Sequence, residues 1–228
     1  MKIFAHRGNG ISGLHENSLE AFKQIQSLPI DGIELDVHYT IDEQWIVNHD
    51  FWMFGKMISK TSSDKLQKLA EERETSILFF SEALDNIKTE INVEIKTNSK
   101  RAGFELAKYL DNSKFPKTFI SSFKIRSLRG ARDYSEKTRL SFISLIPNPW
   151  QWKKYHHQLN LHSINPYFRF LPNRIVRSLH GINTEIHTWT VDNPKHLKSL
   201  QEKSIEAVIT NDPRALLTEQ ANLNKSSN

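Results

Sequence analysis

Short apolar runs rich in β-branched residues recur along this chain, separated by longer stretches in which apolar side chains return every three or four positions. That alternation predicts strands joined by amphipathic helices, the pattern of a parallel sheet. Core strands are expected at residues 3–6, 32–37, 92–96, 118–122, 139–145, 163–165, 185–191 and 207–209. Eight such strands close a (β/α) barrel. Between them, Asn17-Ser18 caps a helix carrying Leu19, Phe22 and Ile25 on one face, and helices with similar caps are expected from Ser81 and over residues 99–110. Asp192-Asn193-Pro194 and Asn211-Asp212-Pro213 each supply a cap and an early-turn proline for the last two helices.

One segment departs from the alternation. After the second strand, a turn-like stretch from Thr40 to Gln44 separates two β-prone runs, which predicts a hairpin in place of a crossover helix. It would carry His49 back to the end of the barrel where Asp36 lies. Residues 51–78 then form an excursion before the next core strand. The expectation is a single-domain α/β protein: a TIM (β/α)8 barrel over residues 1–221 with a short hairpin extension after the second strand, and a flexible polar tail over 222–228.

The 228 residues suit one domain with a substantial core. No cysteine is present, which excludes disulfides and thiolate metal sites and fits a reducing cytoplasm. Met1-Lys2 runs straight into the first strand, and no apolar stretch approaches the roughly 20 residues that span a bilayer. A cytoplasmic protein without stable membrane insertion is therefore expected. The net charge of +5 favours anionic partners, but the cations are scattered, so a nucleic-acid partner is not expected.

The chemistry gathers on the strands. Glu34 and Asp36 have i, i+2 spacing and share one strand face, with Ile33, Leu35 and Val37 on the other. Either the carboxylates point into the barrel, or the strand is an edge whose acidic face meets water. Val93 and Ile95 likewise alternate with Glu94 and Lys96, an arrangement that an internal ion pair would satisfy without any function. Together Glu34, Asp36 and Glu94 offer three carboxylates from adjacent strands, a set suited to a hard dication, Ca²⁺ or Mg²⁺, more than to zinc. Among 10 histidines, His6 and His49 stand out because both follow apolar runs at the end where the acids collect. Arg7 and Lys96 could neutralise a phosphoryl group there. Two imidazoles, an ion and two cations fit phosphoryl transfer better than acyl or glycosyl transfer.

These residues carry a resemblance. His6-Arg7-Gly8, Glu16-Asn17-Ser18-Leu19-Glu20-Ala21-Phe22, Glu34-Leu35-Asp36-Val37, His49-Asp50, Asn92-Val93-Glu94-Ile95-Lys96, Ser121-Ser122-Phe123, Trp189-Thr190-Val191 and Ile209-Thr210-Asn211-Asp212-Pro213 resemble, in this order, the glycerophosphodiester phosphodiesterase family. The resemblance implies a TIM barrel and metal-dependent cleavage of glycerophosphodiesters to glycerol 3-phosphate and an alcohol. It implies His6 and His49 as the acid/base pair, Glu34, Asp36 and Glu94 as metal ligands, Arg7 and Lys96 as phosphate contacts, and Trp189 in the substrate pocket. It also implies attack by the substrate's own glycerol hydroxyl, with a cyclic phosphate then opened by water. The departures are His15 in place of the usual proline, Ser18 in place of threonine, and an aromatic segment, Phe51-Trp52-Met53-Phe54, after His49-Asp50. They bear on the alcohol, not on the ligand set. The aromatic and basic stretch over residues 147–157 raises a second expectation, a lysophospholipase D-like enzyme acting on lysophospholipids, against the simpler view that its tryptophans only pack.

Overall fold

The computed structural model describes residues 1–113 and 117–226. The chain opens with β1 (Lys2–His6), helix α1 (Leu19–Ile25) and β2 (Gly32–Tyr39). The extension follows: β3 (Trp45–Val47), β4 (Trp52–Met53), β5 (Lys56–Met57), α2 (Ser63–Glu71), β6 (Leu78–Phe79) and α3 (Phe80–Asn86). Strand and helix then alternate through β7 (Glu90–Ile95), α4 (Lys100–Asn112), β8 (Thr118–Ser122), α5 (Ile125–Tyr134), β9 (Leu140–Ser144) and α6 (Pro149–Leu159). The last elements are β10 (Ser163–Pro166), α7 (Asn173–His180), β11 (Glu185–Thr188), α8 (Leu197–Glu202), β12 (Ala207–Thr210) and α9 (Pro213–Ser226).

Eight of these strands pair in parallel in the order β1-β12-β11-β10-β9-β8-β7-β2, and pairing of β1 with β2 closes the ring. The fold is the expected TIM barrel, and each expected core strand is present. Tyr39↔Trp45 and Val37↔Val47 pair antiparallel, so the expected hairpin is also formed. Its strand β3 pairs onward with β6, so four short strands and the helices α2 and α3 stand between β2 and β7, more than a simple hairpin.

Burial explains why the strands read as they do. Ile33, Leu35, Val37, Val93 and Ile95 are fully buried beneath the surrounding helices. The alternate residues Glu34, Asp36, Asn92 and Glu94 are also buried, inside the barrel. An edge strand whose acidic face meets water is thereby excluded. Phe4, Phe119, Ala207 and Ile209 form a separate apolar cluster that fills the barrel interior.

Some boundaries differ from expectation: the strand expected over 185–191 ends at Thr188, and β2 runs on to Tyr39. Helix α3 begins at Phe80 without a side-chain cap, because the aromatic ring is buried in the core and draws the helix start ahead of Ser81. The segment expected as a flexible tail from Asn222 is helical through Ser226, as a continuation of α9. Residues 227 and 228 lie outside the described residues.

Candidate active site

Register brings the acids together. His6 lies opposite Glu34 across the β1–β2 pair, and Asp36 lies opposite Glu94 across the β2–β7 pair. One carboxylate oxygen from each of Glu34, Asp36 and Glu94 falls within 4.8 Å of the other two. Glu34 pairs with the last residue of β1 and Glu94 is the penultimate residue of β7, so the cluster faces the C-terminal end of the barrel, where TIM barrels carry their chemistry.

Cations surround Asp36 in particular. Lys96 Nζ lies 3.3 Å from Asp36 Oδ1 and 2.8 Å from Glu94 Oε1. Arg7 Nε lies 3.3 Å from Asp36 Oδ2, while its Nη1 is 2.6 Å from Glu16 Oε1. Asn17 Nδ2 donates to Asp36 Oδ2 at 2.9 Å. Glu34 is less well served: it accepts the Arg7 main-chain N–H at 2.9 Å. Arg7 and Asn17 hold these positions with φ of 54° and 53°, a left-handed backbone. Gly8 follows at φ +72°, where a Cβ would come within 2.7 Å of the Phe22 ring, so only glycine lets the turn seat on α1.

The electrostatics follow from this unequal provision. Burial pushes the Glu34 carboxyl well above the usual range, and repulsion from Asp36 and Glu94 adds to it. Burial, with repulsion from Asp36, also pushes Glu94 up to about 7, although Lys96 opposes the shift. Burial works to lower Lys96, but Glu94 and Asp36 overcome it and hold the ammonium firmly charged. Two acids reluctant to ionise beside a third, with their ligand atoms converging, fit a dication on the chemistry of the donor set.

The two histidines flank this cluster. His6 Nδ1 lies 2.7 Å from Asn211 Oδ1. Asn211 is itself fixed, donating to Asp192 Oδ2 at 3.0 Å and accepting from Asn9 Nδ2 at 3.1 Å. The His6 proton therefore belongs on Nδ1, and Nε2 faces Glu34 Oε2 at 3.9 Å with its lone pair free. Burial lowers the His6 pKa, although the Asn211 hydrogen bond opposes it, so the ring favours its neutral form. His49 returns on the hairpin as expected, with Nδ1 2.8 Å from Asp50 Oδ1. Beneath it, buried His38 is hydrogen-bonded to the His49 main chain, and burial lowers its pKa to about 4.

A cavity of about 230 Å³ lies over the cluster, lined by His6, Arg7, Glu34, His49, Glu94, Lys96 and Trp189 among others. Every residue singled out in the sequence thus lines this cavity except Asp36, which is 1% exposed and sits beneath it. Sequence reasoning missed four participants. Asn211, a helix cap by its local sequence, is the partner of His6 Nδ1. Asn92 and Asn165 are fully buried on the cavity wall, where Asn92 Oδ1 and Nδ2 and Asn165 Nδ2 have no hydrogen-bond partner. Phe123 packs edge-on against Trp189, with centroids 5.5 Å apart. Asn92, Phe123 and Asn211 stood inside the quoted motifs, and Asn165 alternates with Ile164 on the expected strand over 163–165, so inward parity was the available signal for Asn92, Phe123 and Asn165.

A second convergent set, His162, Glu185 and His187, occurs at the opposite end of the barrel, again with ligand atoms within 4.8 Å of one another. His162 and Glu185 line a separate cavity, which shares no lining residue with the first.

Focused charge of both signs, with imidazoles on either wall, is what breaking a phosphodiester requires, and on this scaffold it defines the class of TIM-barrel phosphodiesterases. The chain belongs to the glycerophosphoryl diester phosphodiesterase family, whose sequence model matches residues 6–215. A glycerophosphodiester phosphodiesterase of Caldanaerobacter subterraneus subsp. tengcongensis is 27% identical, the match covering 94% of this chain and 96% of that protein. Among solved structures, an Oleispira antarctica phosphodiesterase in complex with the product sn-glycerol-3-phosphate shares the fold with a TM-score of 0.82. It is 20% identical and covers 97% of both chains. A glycerophosphodiester phosphodiesterase from Thermotoga maritima superposes with a TM-score of 0.76 at 23% identity, covering 96% of this chain and 97% of its own. By its family the protein is an enzyme, a glycerophosphodiester phosphodiesterase.

Proposed function

We propose that the protein hydrolyses glycerophosphodiesters to sn-glycerol 3-phosphate and an alcohol in a reaction dependent on Ca²⁺ or Mg²⁺. The convergence of Glu34, Asp36 and Glu94 beneath a cavity walled by His6 and His49 carries this reading. Those three acids would hold the ion, which when bound neutralises charge on the phosphoryl oxygens. Arg7 and Lys96 face the same space and add positive charge around the phosphate.

The free Nε2 lone pair of His6 suits it to take the proton of the glycerol hydroxyl as that oxygen bonds to phosphorus. His49, nearer solvent at the cavity mouth, suits proton donation to the departing alcohol as its P–O bond breaks. The roles reverse when water opens the cyclic phosphate: His49 takes the water's proton and His6 returns one to the glycerol oxygen. No protein nucleophile is required. Asn92 and Asn165, with polar atoms unpaired on the cavity wall, match the hydroxyls of the glycerol. At about 230 Å³ the cavity falls below the roughly 300–1,000 Å³ of ordinary ligand sites. It suits the glycerophosphate half, with the alcohol emerging past Trp189 and Phe123.

His6→Ala and His49→Ala are each expected to slow hydrolysis of glycerophosphocholine by about 10²–10⁴-fold with the circular dichroism spectrum unchanged. Near-normal turnover in both would reject the proposal. A lysophospholipase D-like activity is the second reading, favoured by the exposed aromatic rim beside the cavity mouth. Turnover on lysophosphatidylcholine against glycerophosphocholine separates the two. A cytoplasmic location agrees with the absence of cysteine.

A further inference from the structure

The exposed apolar side chains of this protein are not spread over its surface. Nine large ones are exposed among the described residues, and eight of them lie in the extension after β2, in loops that follow barrel strands or at the start of α6; Phe104 on α4 is the exception. The loop after β9 and the start of α6 present Leu145 at 53%, Ile146 at 72% and Trp150 at 88% exposure. The neighbouring loop, after β10, adds Phe170 at 42%. Adjacent pairing of β9 and β10 makes these loops neighbours. The two tryptophans of α6 therefore have different fates: Trp152 is fully buried, whereas packing does not account for Trp150.

This rim is continuous with the active site. Trp189 on the cavity wall meets Tyr167 with ring centroids 5.5 Å apart, and Tyr167 meets Phe170 at 5.8 Å. The rim is also strongly cationic. Between Glu136 and Glu185 the sequence holds no acid but seven Lys and Arg residues. Of the cations on these loops and the helices that follow them, Arg126, Lys154, Arg169 and Arg174 are exposed and make no ion pair among the described residues, Lys154 standing one helical turn beyond Trp150 on α6. Arg169 instead lies over the Phe168 ring at 5.4 Å.

Exposed Trp, Ile and Leu interspersed with unpaired cations, on a stretch free of acids between Glu136 and Glu185, are complementary to a surface that is apolar just below a layer of negative charge. We infer that the loops after β8, β9 and β10 dock on an anionic phospholipid bilayer, with the active-site mouth turned toward it. Trp150 and Ile146 enter the headgroup layer, and the cations meet lipid phosphates and carboxylates. If the proposed phosphodiesterase reaction holds, this orientation presents the cavity to glycerophosphodiesters whose alcohol is retained at a lipid surface. The docking itself does not depend on that reaction.

The test is cosedimentation of the full chain with vesicles of phosphatidylcholine plus phosphatidylserine, and with phosphatidylcholine alone, in the absence of substrate. Binding to the mixed vesicles is expected to exceed binding to the neutral ones by about tenfold or more at low ionic strength, and to fall as salt is raised. A K154E/R174E variant should lose at least about tenfold of that binding, and an I146S/W150S variant a comparable factor. Both variants should keep the wild-type melting temperature and their turnover on soluble glycerophosphocholine. Equal partition to both vesicle types, or charge reversal without effect, overturns the inference. So does a self-association in solution abolished by I146S/W150S, which would mean that a second copy covers the face. Loss of phosphodiesterase activity in His6→Ala with vesicle binding intact would leave this inference standing, whereas failure of binding in the active wild type would sink it alone.

Discussion

The two ends of the barrel bury the same kinds of side chain with opposite electrostatic results. At the N-terminal end, Glu90 accepts Lys2 Nζ at 2.7 Å and Arg139 Nη1 at 2.9 Å. Glu185 lies 2.8 Å from His187 Nε2 and 3.5 Å from His162 Nε2. Burial works to raise Glu90, but the Lys2 hydrogen bond and the Arg139 charge bring it below the usual carboxylate range. The His187 hydrogen bond does the same for Glu185. At the C-terminal end, Glu34 and Glu94 move upward, because they are buried more deeply and repel each other and Asp36. Three ligand atoms converge at both ends. Convergence alone therefore does not mark the active site. What distinguishes the set assigned to catalysis in the proposed function is that its carboxylates are left in want of positive charge, while the lower ones are supplied by the protein itself. A fold keeps the first arrangement for chemistry and the second for stability.

Exchanging an acid at each end should separate the two most sharply. Glu34→Gln is expected to cut phosphodiester hydrolysis by at least about 10²-fold, and to leave the melting temperature in chelator unchanged or higher, since it removes charge from a crowded buried cluster. A clear loss of stability in chelator would show that Glu34 is structurally satisfied and would erase the contrast.

Ion addition comes next. Ca²⁺ or Mg²⁺ at a hundredfold over its Kd should stabilise the wild type by about 2.7 kcal/mol, read as a rise in melting temperature. Glu34→Gln should abolish most of that rise and His187→Gln should not. The reverse pattern would move the ion to the lower triad.

Glu90→Gln should destabilise the protein by about 1–2 kcal/mol in urea denaturation at neutral pH, with kcat unaltered. Its pH dependence has a definite sign. A carboxyl whose folded pKa is depressed contributes stability above its unfolded pKa and loses it as pH falls through the folded value. The gap between variant and wild type should therefore close in acid.

The last effect is confined to one pH window and concerns His162, whose pKa burial lowers from 6.5 to about 4. Such a group destabilises the fold progressively as pH falls from its unfolded pKa to that folded one. His162→Gln should flatten the stability profile across that window, and a profile as steep as the wild type's would place the titrating group elsewhere.

Much of this was legible along the chain because parallel barrel strands repeat a simple rule. Ile33, Leu35 and Val37 face helices, so Glu34 and Asp36 have only the interior left, and the same parity places Glu94 and Lys96. The hairpin could be read from Thr40 to Gln44 because turn chemistry is local, and His49 followed from it. Asn211 was misjudged because one asparagine can serve as a cap or as an imidazole partner, and only its position beside His6, 205 residues away in sequence, decides. The start of α3 was missed because core packing of Phe80 outweighed the local capping preference. Trp150 and Trp152 lie two residues apart in one helix, and composition could not tell which one faces the barrel.

The order of strands, their inward and outward faces and the identity of the chemical groups were determined by the sequence, since periodicity and turn signals act over a few residues. Tertiary structure decided which acids are satisfied and which are not. That depends on cations and donors brought from distant strands by barrel closure, and on how far each group is withdrawn from water.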